Sequence, residues 1–269
     1  MIRRPSVLVF SGVDPSAGAG MQADIQAIAA IGAHPLSVVT ALTVQDNDHV
    51  FAVHPIPALL LKQQAEALIN KIEIAAVKIG IIANRANAEA IVAIVHELKK
   101  KNANLPVVFD PVLASGHGDA LAVENAIQII APLIGIATLI TPNLPEASAL
   151  CSGDRRADAQ AENLLRCGCK HVLIKGGHGS GSGKIVNQWF TKDHSRSWSW
   201  PRLQGAFHGS GCTLASAIAA LLANGKSMEQ AIDLGQAYCQ QTLERSYAIA
   251  EGQRIPDRFI PSFIDRERR

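Results

Sequence analysis

The chain has 269 residues, a length suited to one large α/β domain or two small ones. Apolar residues at 48% and charged residues at 18% exclude a disordered or low-complexity protein. The net charge is only +2, and no basic block precedes the tail at Arg266, Arg268 and Arg269, so a nucleic-acid groove is not indicated.

Aromatics are scarce at 4% while Ala, Ile, Leu and Val abound, which suits helices packed on a buried parallel sheet. In chain order, residues 6–10 read as a strand, followed by a glycine-rich turn and a helix over 22–31 that Gly32 stops. Residues 36–44 form a second strand. A helix over 57–72 follows, its apolar face set by Leu60, Leu61 and Leu68. Residues 76–80 are a strand, and 86–100 a helix whose basic end matches the macrodipole. Further strands are read at 107–110, 137–141 and 171–175. Those near 184–190 and 195–200 have no helix between them, which predicts a β-hairpin or an antiparallel edge. Two helices, 211–223 and 228–246, end the chain, with Asn224-Gly225 as the break. No repeat, long linker or composition shift divides it. The expectation is one three-layer α/β/α domain over residues 1–269.

Val7 to Phe10 is too short for a signal-peptide core, and the greasy stretch 126–141 is broken by Gln128, Pro132 and Gly135. Neither a secretory leader nor a membrane partner is expected. Five cysteines (Cys151, Cys167, Cys169, Cys212, Cys239) are an odd number in a chain large enough to fold without bridges. That favours a reduced, cytoplasmic setting. Cys167-Gly168-Cys169 lacks the spacing and the second pair of a zinc site.

Ligands of open α/β sheets bind beyond the carboxyl ends of the strands, and the residues there are polar and glycine-rich. They include the run from Gly12 to Gly20, with Gln22 and Asp24, then Gln45-Asp46-Asn47 and Asp110-Pro111 with Gly116-His117. Asn143 with Glu146, Lys175-Gly176-Gly177-His178 and His208-Gly209-Ser210-Gly211-Cys212-Thr213 complete the set. Gly18-Ala19-Gly20 has no glycine at residue 23, so the dinucleotide fingerprint fails, and no P-loop pattern occurs. Asn143-x-x-Glu146 is also the pattern of a plain helix cap. Gly209 and Gly211 let successive N–H groups converge at a helix N-terminus, an anion site able to hold a phosphate. Cys212 at that helix start is expected to have its thiol pKa lowered by the dipole.

In order along the chain, Ser11-Gly12-Val13-Asp14-Pro15-Ser16-Ala17-Gly18-Ala19-Gly20-Met21-Gln22-Ala23-Asp24, Thr40-Ala41-Leu42-Thr43-Val44-Gln45 and Val77-Lys78-Ile79-Gly80 resemble the hydroxymethylpyrimidine/phosphomethylpyrimidine kinases of thiamin biosynthesis. Phe109-Asp110-Pro111-Val112, Thr141-Pro142-Asn143-Leu144-Pro145-Glu146, Ile174-Lys175-Gly176-Gly177-His178 and the turn 208–214 continue the likeness to this ribokinase-like group. The resemblance implies transfer of phosphate from ATP, with Mg²⁺, to 4-amino-5-hydroxymethyl-2-methylpyrimidine and then to its monophosphate. Gly12, Asp24, Gln45 and Val112 would line the pyrimidine pocket. Asp110 and Glu146 would hold Mg²⁺, partly through water, and Asn143, Glu146, Lys175, Gly209 and Gly211 would serve ATP. Lys175 would neutralise phosphate charge, Gly209, Gly211 and Cys212 would form the anion hole, and a Cys212 thiolate could serve as the base. Partners are thus small molecules, with room for a homodimer.

The chain departs from the family at Ala17 (usually Gly), Ile81 (commonly Met), His117 (more usually Ser), the segment 200–207 before the anion turn, and 251–256, where a Gly-x-Gly-Pro pattern is expected. Two other readings stay open: a pyridoxal or pyridoxine kinase, and a pyrimidine-binding regulatory protein without turnover.

Overall fold

The apolar run at the N-terminus is the spine of the fold. The computed structural model describes residues 3–115, 118–119, 121, 125–154, 156–177 and 183–260. Gly116, His117, His178, Arg266, Arg268 and Arg269, singled out above, lie outside them. The chain runs β1 (Ser6–Val13), α1 (Gly20–Ala30), β2 (His34–Gln45), β3 (Val50–Pro55), α2 (Ala58–Ile69) and β4 (Ile74–Ile79). Next come α3 (Arg85–Lys101), β5 (Val107–Phe109), α4 (Ala126–Ile134), β6 (Leu139–Ile140), α5 (Leu144–Leu150) and α6 (Ala157–Arg166). Then follow β7 (His171–Ile174), β8 (Lys184–Phe190), β9 (Ser195–Pro201), α7 (Ser210–Ala223) and α8 (Met228–Glu244).

The strands form one sheet in the order β3-β2-β1-β4-β5-β6-β7-β8-β9. From β2 to β7 all neighbours are parallel, while β3 and the β8–β9 hairpin add antiparallel edges. A strand buried on both faces reads as a continuous apolar run, and β1 is buried along all but its last residue. Leu8 and Phe10 meet α2 to α6 on one face, while Val7 and Val9 meet α1, α7 and α8 on the other. The three-layer α/β/α expectation holds, as does the hairpin, paired from Lys184↔Pro201 to Phe190↔Ser195.

Elements the sequence reading did not assign are β3, α4, α5 and α6. β3 is a short edge strand whose six residues are intermediate or exposed, so it carries no strong period-2 signal. α4 contains Pro132, a residue that disfavours a helix interior, yet the helix forms with an Asn125 cap and four buried apolar residues. Among the described residues, no helix is long and apolar enough to cross a membrane.

The chain goes from β1 outward to β2 and β3, then returns to the other side of β1 as β4. That reversal opens a crevice at the carboxyl ends of β1 and β4. The hairpin edge is fixed at Gly176, where an added Cβ would lie 2.1 Å from the Val186 carbonyl oxygen. Its N–H also donates to Asn187 Oδ1 at 2.9 Å. Backbone cannot yield as a side-chain tip can, so Gly176→Ala is expected to destabilise the fold by about 1–3 kcal/mol. Chemical denaturation should show a lower midpoint, and an unchanged midpoint would mean the hairpin is free to shift.

Candidate active site

The β1–α1 loop folds around one carboxylate. Asp14 Oδ1 accepts from the Ser16 N–H and hydroxyl, both at 2.8 Å, and Oδ2 accepts from the Ala19 N–H at 2.7 Å. His208 Nε2 lies 2.9 Å from Oδ2, which ties this loop to the segment that enters α7. Burial pushes the Asp14 pKa up, but the bonds from His208, Ser16 and Ala19 outweigh it and hold the carboxyl below its ordinary range. Ala17 takes φ +59°, a left-handed conformation that glycine adopts without steric cost. The two glycine-rich segments touch: at Gly209 (φ +77°) a Cβ would lie 2.2 Å from the Gly18 carbonyl oxygen.

The ends of β5, β6 and β7 bring charge together. Lys175 Nζ donates to Asp110 Oδ1 at 2.7 Å, and Thr141 Oγ1 donates to the same oxygen at 3.0 Å. Asn143 and Glu146 form a reciprocal cap on α5, as the plain-cap reading anticipates. Glu146 Oε2 accepts from the Asn143 N–H at 2.7 Å. Burial raises the Glu146 pKa to about 7, with Lys175 opposing the rise. Burial also works against the Lys175 ammonium, yet Asp110 and Glu146 raise its pKa above the ordinary value. Asp110 Oδ2 takes none of these bonds, so it remains as a hard oxygen donor beside Glu146. Two carboxylates of this kind, completed by water and phosphate oxygens, fit Mg²⁺. Among the described residues, no group of three or more His, Cys, Asp or Glu side chains is placed to hold a metal alone.

α7 points its first turn at this cluster. A Cβ on Gly211 would lie 3.1 Å from Lys175 Nζ and 3.4 Å from Asp110 Oδ2. The free N–H groups and positive end of the helix therefore sit beside an ammonium, an arrangement suited to an anion.

These segments line a cavity of about 420 Å³. It gathers Gln45, Asp110, Val112, Asn143, Glu146, Lys175, Gly209, Gly211 and Cys212, all anticipated from sequence. Gly12 and Asp24 do not line it. Gly20 packs its backbone against Gly12, since a Cβ on Gly20 would lie 2.5 Å from the Gly12 carbonyl oxygen, while a Cβ on Gly12 itself would meet nothing closer than 3.7 Å. Asp24 is fully buried: Lys78 Nζ donates to both its oxygens at 2.8 Å, and Ser216 Oγ to Oδ1 at 2.7 Å. It is thus a structural counter-ion, not a group facing a ligand. Cys212 also differs from expectation. Burial raises its thiol pKa to about 11, and neither Lys78 nor the Gly20 N–H offsets that effect. The dipole argument fails there because desolvation of a thiolate outweighs it.

Sequence reasoning missed Trp200, Gln236 and Gln253 among the lining residues. Trp200 Nε1 and Asn187 Nδ2 both donate to Gln236 Oε1, at 3.0 and 2.8 Å, which ties the hairpin to α8. Gln236 and Gln253 are buried polar side chains and Trp200 is half-buried, a depth that the sequence alone does not reveal.

With this geometry in hand, the chain can be compared with known proteins. The sequence pattern of the family Phosphomethylpyrimidine kinase matches residues 14–257. The chain belongs to that family. It is 35% identical over 256 residues to the hydroxymethylpyrimidine/phosphomethylpyrimidine kinase of Mycobacterium tuberculosis, covering 92% of this chain and 91% of that one. Among solved structures it resembles the phosphomethylpyrimidine kinase of Clostridium difficile, with 34% identity, a TM-score of 0.75, and 90% and 100% of the two chains covered. It also resembles the pyridoxal kinase of Staphylococcus aureus in complex with pyridoxal, with 26% identity, a TM-score of 0.85, and 96% and 94% covered.

The thiol and the buried ion pair each lead to a measurable outcome. Alkylation of Cys212 by iodoacetamide, followed by peptide mass, should still be accelerating at pH 10; a plateau by pH 8 would show an acidified thiol instead. Breaking one partner of a buried pair costs about 3–5 kcal/mol, while replacing both costs far less. Lys78→Met should therefore destabilise by that amount, and Lys78→Met with Asp24→Leu should recover much of it. Equal losses in the single and double variants, read by urea denaturation, would contradict the pairing.

Proposed function

We propose that this protein transfers the terminal phosphoryl group of ATP to the hydroxyl of a hydroxymethylpyrimidine, and then to the resulting monophosphate, as a single ribokinase-like domain. The observation that carries this reading is the first turn of α7 facing the Lys175–Asp110 pair inside the cavity. Phosphoryl transfer asks a protein mainly for positioning and charge stabilisation, and this end of the cavity supplies both. The N–H groups of Gly209 to Cys212 receive charge from the transferring group, and Lys175 neutralises it. Gln45 and Val112, which also line the cavity, would meet the pyrimidine.

Asp110 and Glu146 would hold Mg²⁺, with Asn143 fixing Glu146 through the reciprocal cap. When bound, the ion neutralises phosphate charge. Cys212 enters as a neutral thiol beside the anion turn. It would therefore meet the substrate hydroxyl as a hydrogen-bonding thiol, and act as a base only once its own proton has left. All five cysteines are free, which supports a reducing, cytoplasmic setting.

A second reading rests on the likeness to a pyridoxal kinase holding pyridoxal. Both heterocycles present a hydroxymethyl group, so the phosphate end of the cavity serves either. Incubation with Mg-ATP and each heterocycle, with products weighed by mass spectrometry, tests the two readings. Mono- and diphosphates of the pyrimidine support the first. Comparable turnover of pyridoxal favours the second, and binding without ATP consumption would sink both. Glu146→Gln removes one carboxylate while keeping an acceptor for the Asn143 N–H. It should raise the Mg²⁺ concentration for half-maximal rate by about tenfold, the loss typical of a disturbed metal shell. An unchanged Mg²⁺ dependence would reduce Glu146 to its capping role.

A further inference from the structure

Three cations gather at the anion turn, Lys78 and Arg258 buried and Lys175 lining the cavity, and they are not equivalent. Lys78 is held by Asp24 and Lys175 by Asp110, each at hydrogen-bond distance. Arg258 is 1% exposed and has no such partner. Its Nε donates to Thr213 Oγ1 at 2.8 Å, Nη1 to Gln26 Oε1 at 3.2 Å, and Nη2 to the Gly18 carbonyl. All three acceptors are neutral, and among the described residues Arg258 forms no ion pair. Asp24 acts on it only from beyond contact, with both oxygens already occupied by Lys78.

A buried unpaired charge is costly, and a guanidinium does not shed its proton to escape. The location sharpens the problem. Thr213 lies in the first turn of α7 and donates to the Gly209 carbonyl at 2.8 Å, so the cation stands behind the positive end of the helix. Like charges are thereby held together in the free protein, and an anion on the turn relieves them. The same fork grips Gly18, the residue against which Gly209 packs. Tyr238 fixes the Arg258 backbone by donating to its carbonyl at 2.8 Å. Arg258 also lies one residue beyond the stretch matched by the family pattern, after a segment that departs from it.

We propose that Arg258 is a positioning residue for phosphoryl transfer: a fixed, unpaired positive charge that locks the 14–20 loop to the first turn of α7 and favours an anion there. This rests on the phosphoryl-transfer reading above. The test compares Arg258→Lys, which keeps the charge, with Arg258→Met and Arg258→Gln, which remove it; Gln retains a donor for Thr213. Steady-state rates with hydroxymethylpyrimidine and ADP affinity by calorimetry are the readouts. Both neutral variants should lose about tenfold in kcat and in ADP affinity, below the loss typical of a direct oxyanion donor. KM for the uncharged pyrimidine should stay within about twofold, and Lys should restore most of kcat. Equal losses in Lys and the neutral variants would overturn the proposal, because a structural staple would then suffice. Full kcat in a folded neutral variant would overturn it too, as would failure of both neutral variants to fold while Lys folds. An inactive wild type would defeat the kinase reading instead, and the ADP affinities would still decide the role of the charge.

Discussion

Taking ionised groups out of water costs several kcal/mol each unless a partner or ligand compensates, and the site is organised around that cost. The sheet delivers Lys78 at the end of β4 and Lys175 just after β7, both under a helix whose first turn is itself positive. Asp24 and Asp110 are the compensating anions, and their positions fix the neighbouring elements. Asp24 brings α1 onto β4 and, through Ser216, onto α7. Asp110 links the end of β5 to Lys175 and Thr141. The stability of this end of the domain and its capacity for an anion are therefore one electrostatic arrangement.

Geometry at the glycines follows from the same arrangement. The first turn of α7 reaches Lys175 closely at residue 211, where a Cβ would stand 3.1 Å from the ammonium and oblige the lysine tip to give way. For that turn to sit on the β1–α1 loop, residue 209 must tolerate a positive φ with the Gly18 carbonyl against it. The Asp14–His208 contact then holds the two segments in register. Ala17 shows that the loop tolerates one left-handed non-glycine residue, because the bonds converging on Asp14 over-determine its path.

Much of the fold was legible because its signals are local. Residues 6–10 are an unbroken apolar run in the sequence and the buried centre of the sheet in space. Asn224-Gly225 divides the last two helices as expected, with Gly225 at φ +82°. The strand-end rule also located the lining residues from Gln45 to Cys212. What failed depended on distance and depth. Asp24 looked like a ligand group because a sequence does not show that Lys78, 54 residues away, claims both of its oxygens. The position of Cys212 at a helix start was readable, but its burial was not, and burial decides its pKa. Arg258 gave no signal at all: its partners Thr213 and Gly18 stand 45 and 240 residues away.

The cavity thus divides by chemistry. The end at the first turn of α7 combines backbone amides, the Lys175–Asp110 pair and closely packed glycines. The lining also includes Gln45, Ile81 and Val112, side chains on strand ends and loops that take no part in the Lys78–Asp24 and Lys175–Asp110 pairs. The fold itself is shared with a phosphomethylpyrimidine kinase at 34% identity and a pyridoxal kinase at 26%. Ile81, standing where Met is common in the family, is one of these lining side chains.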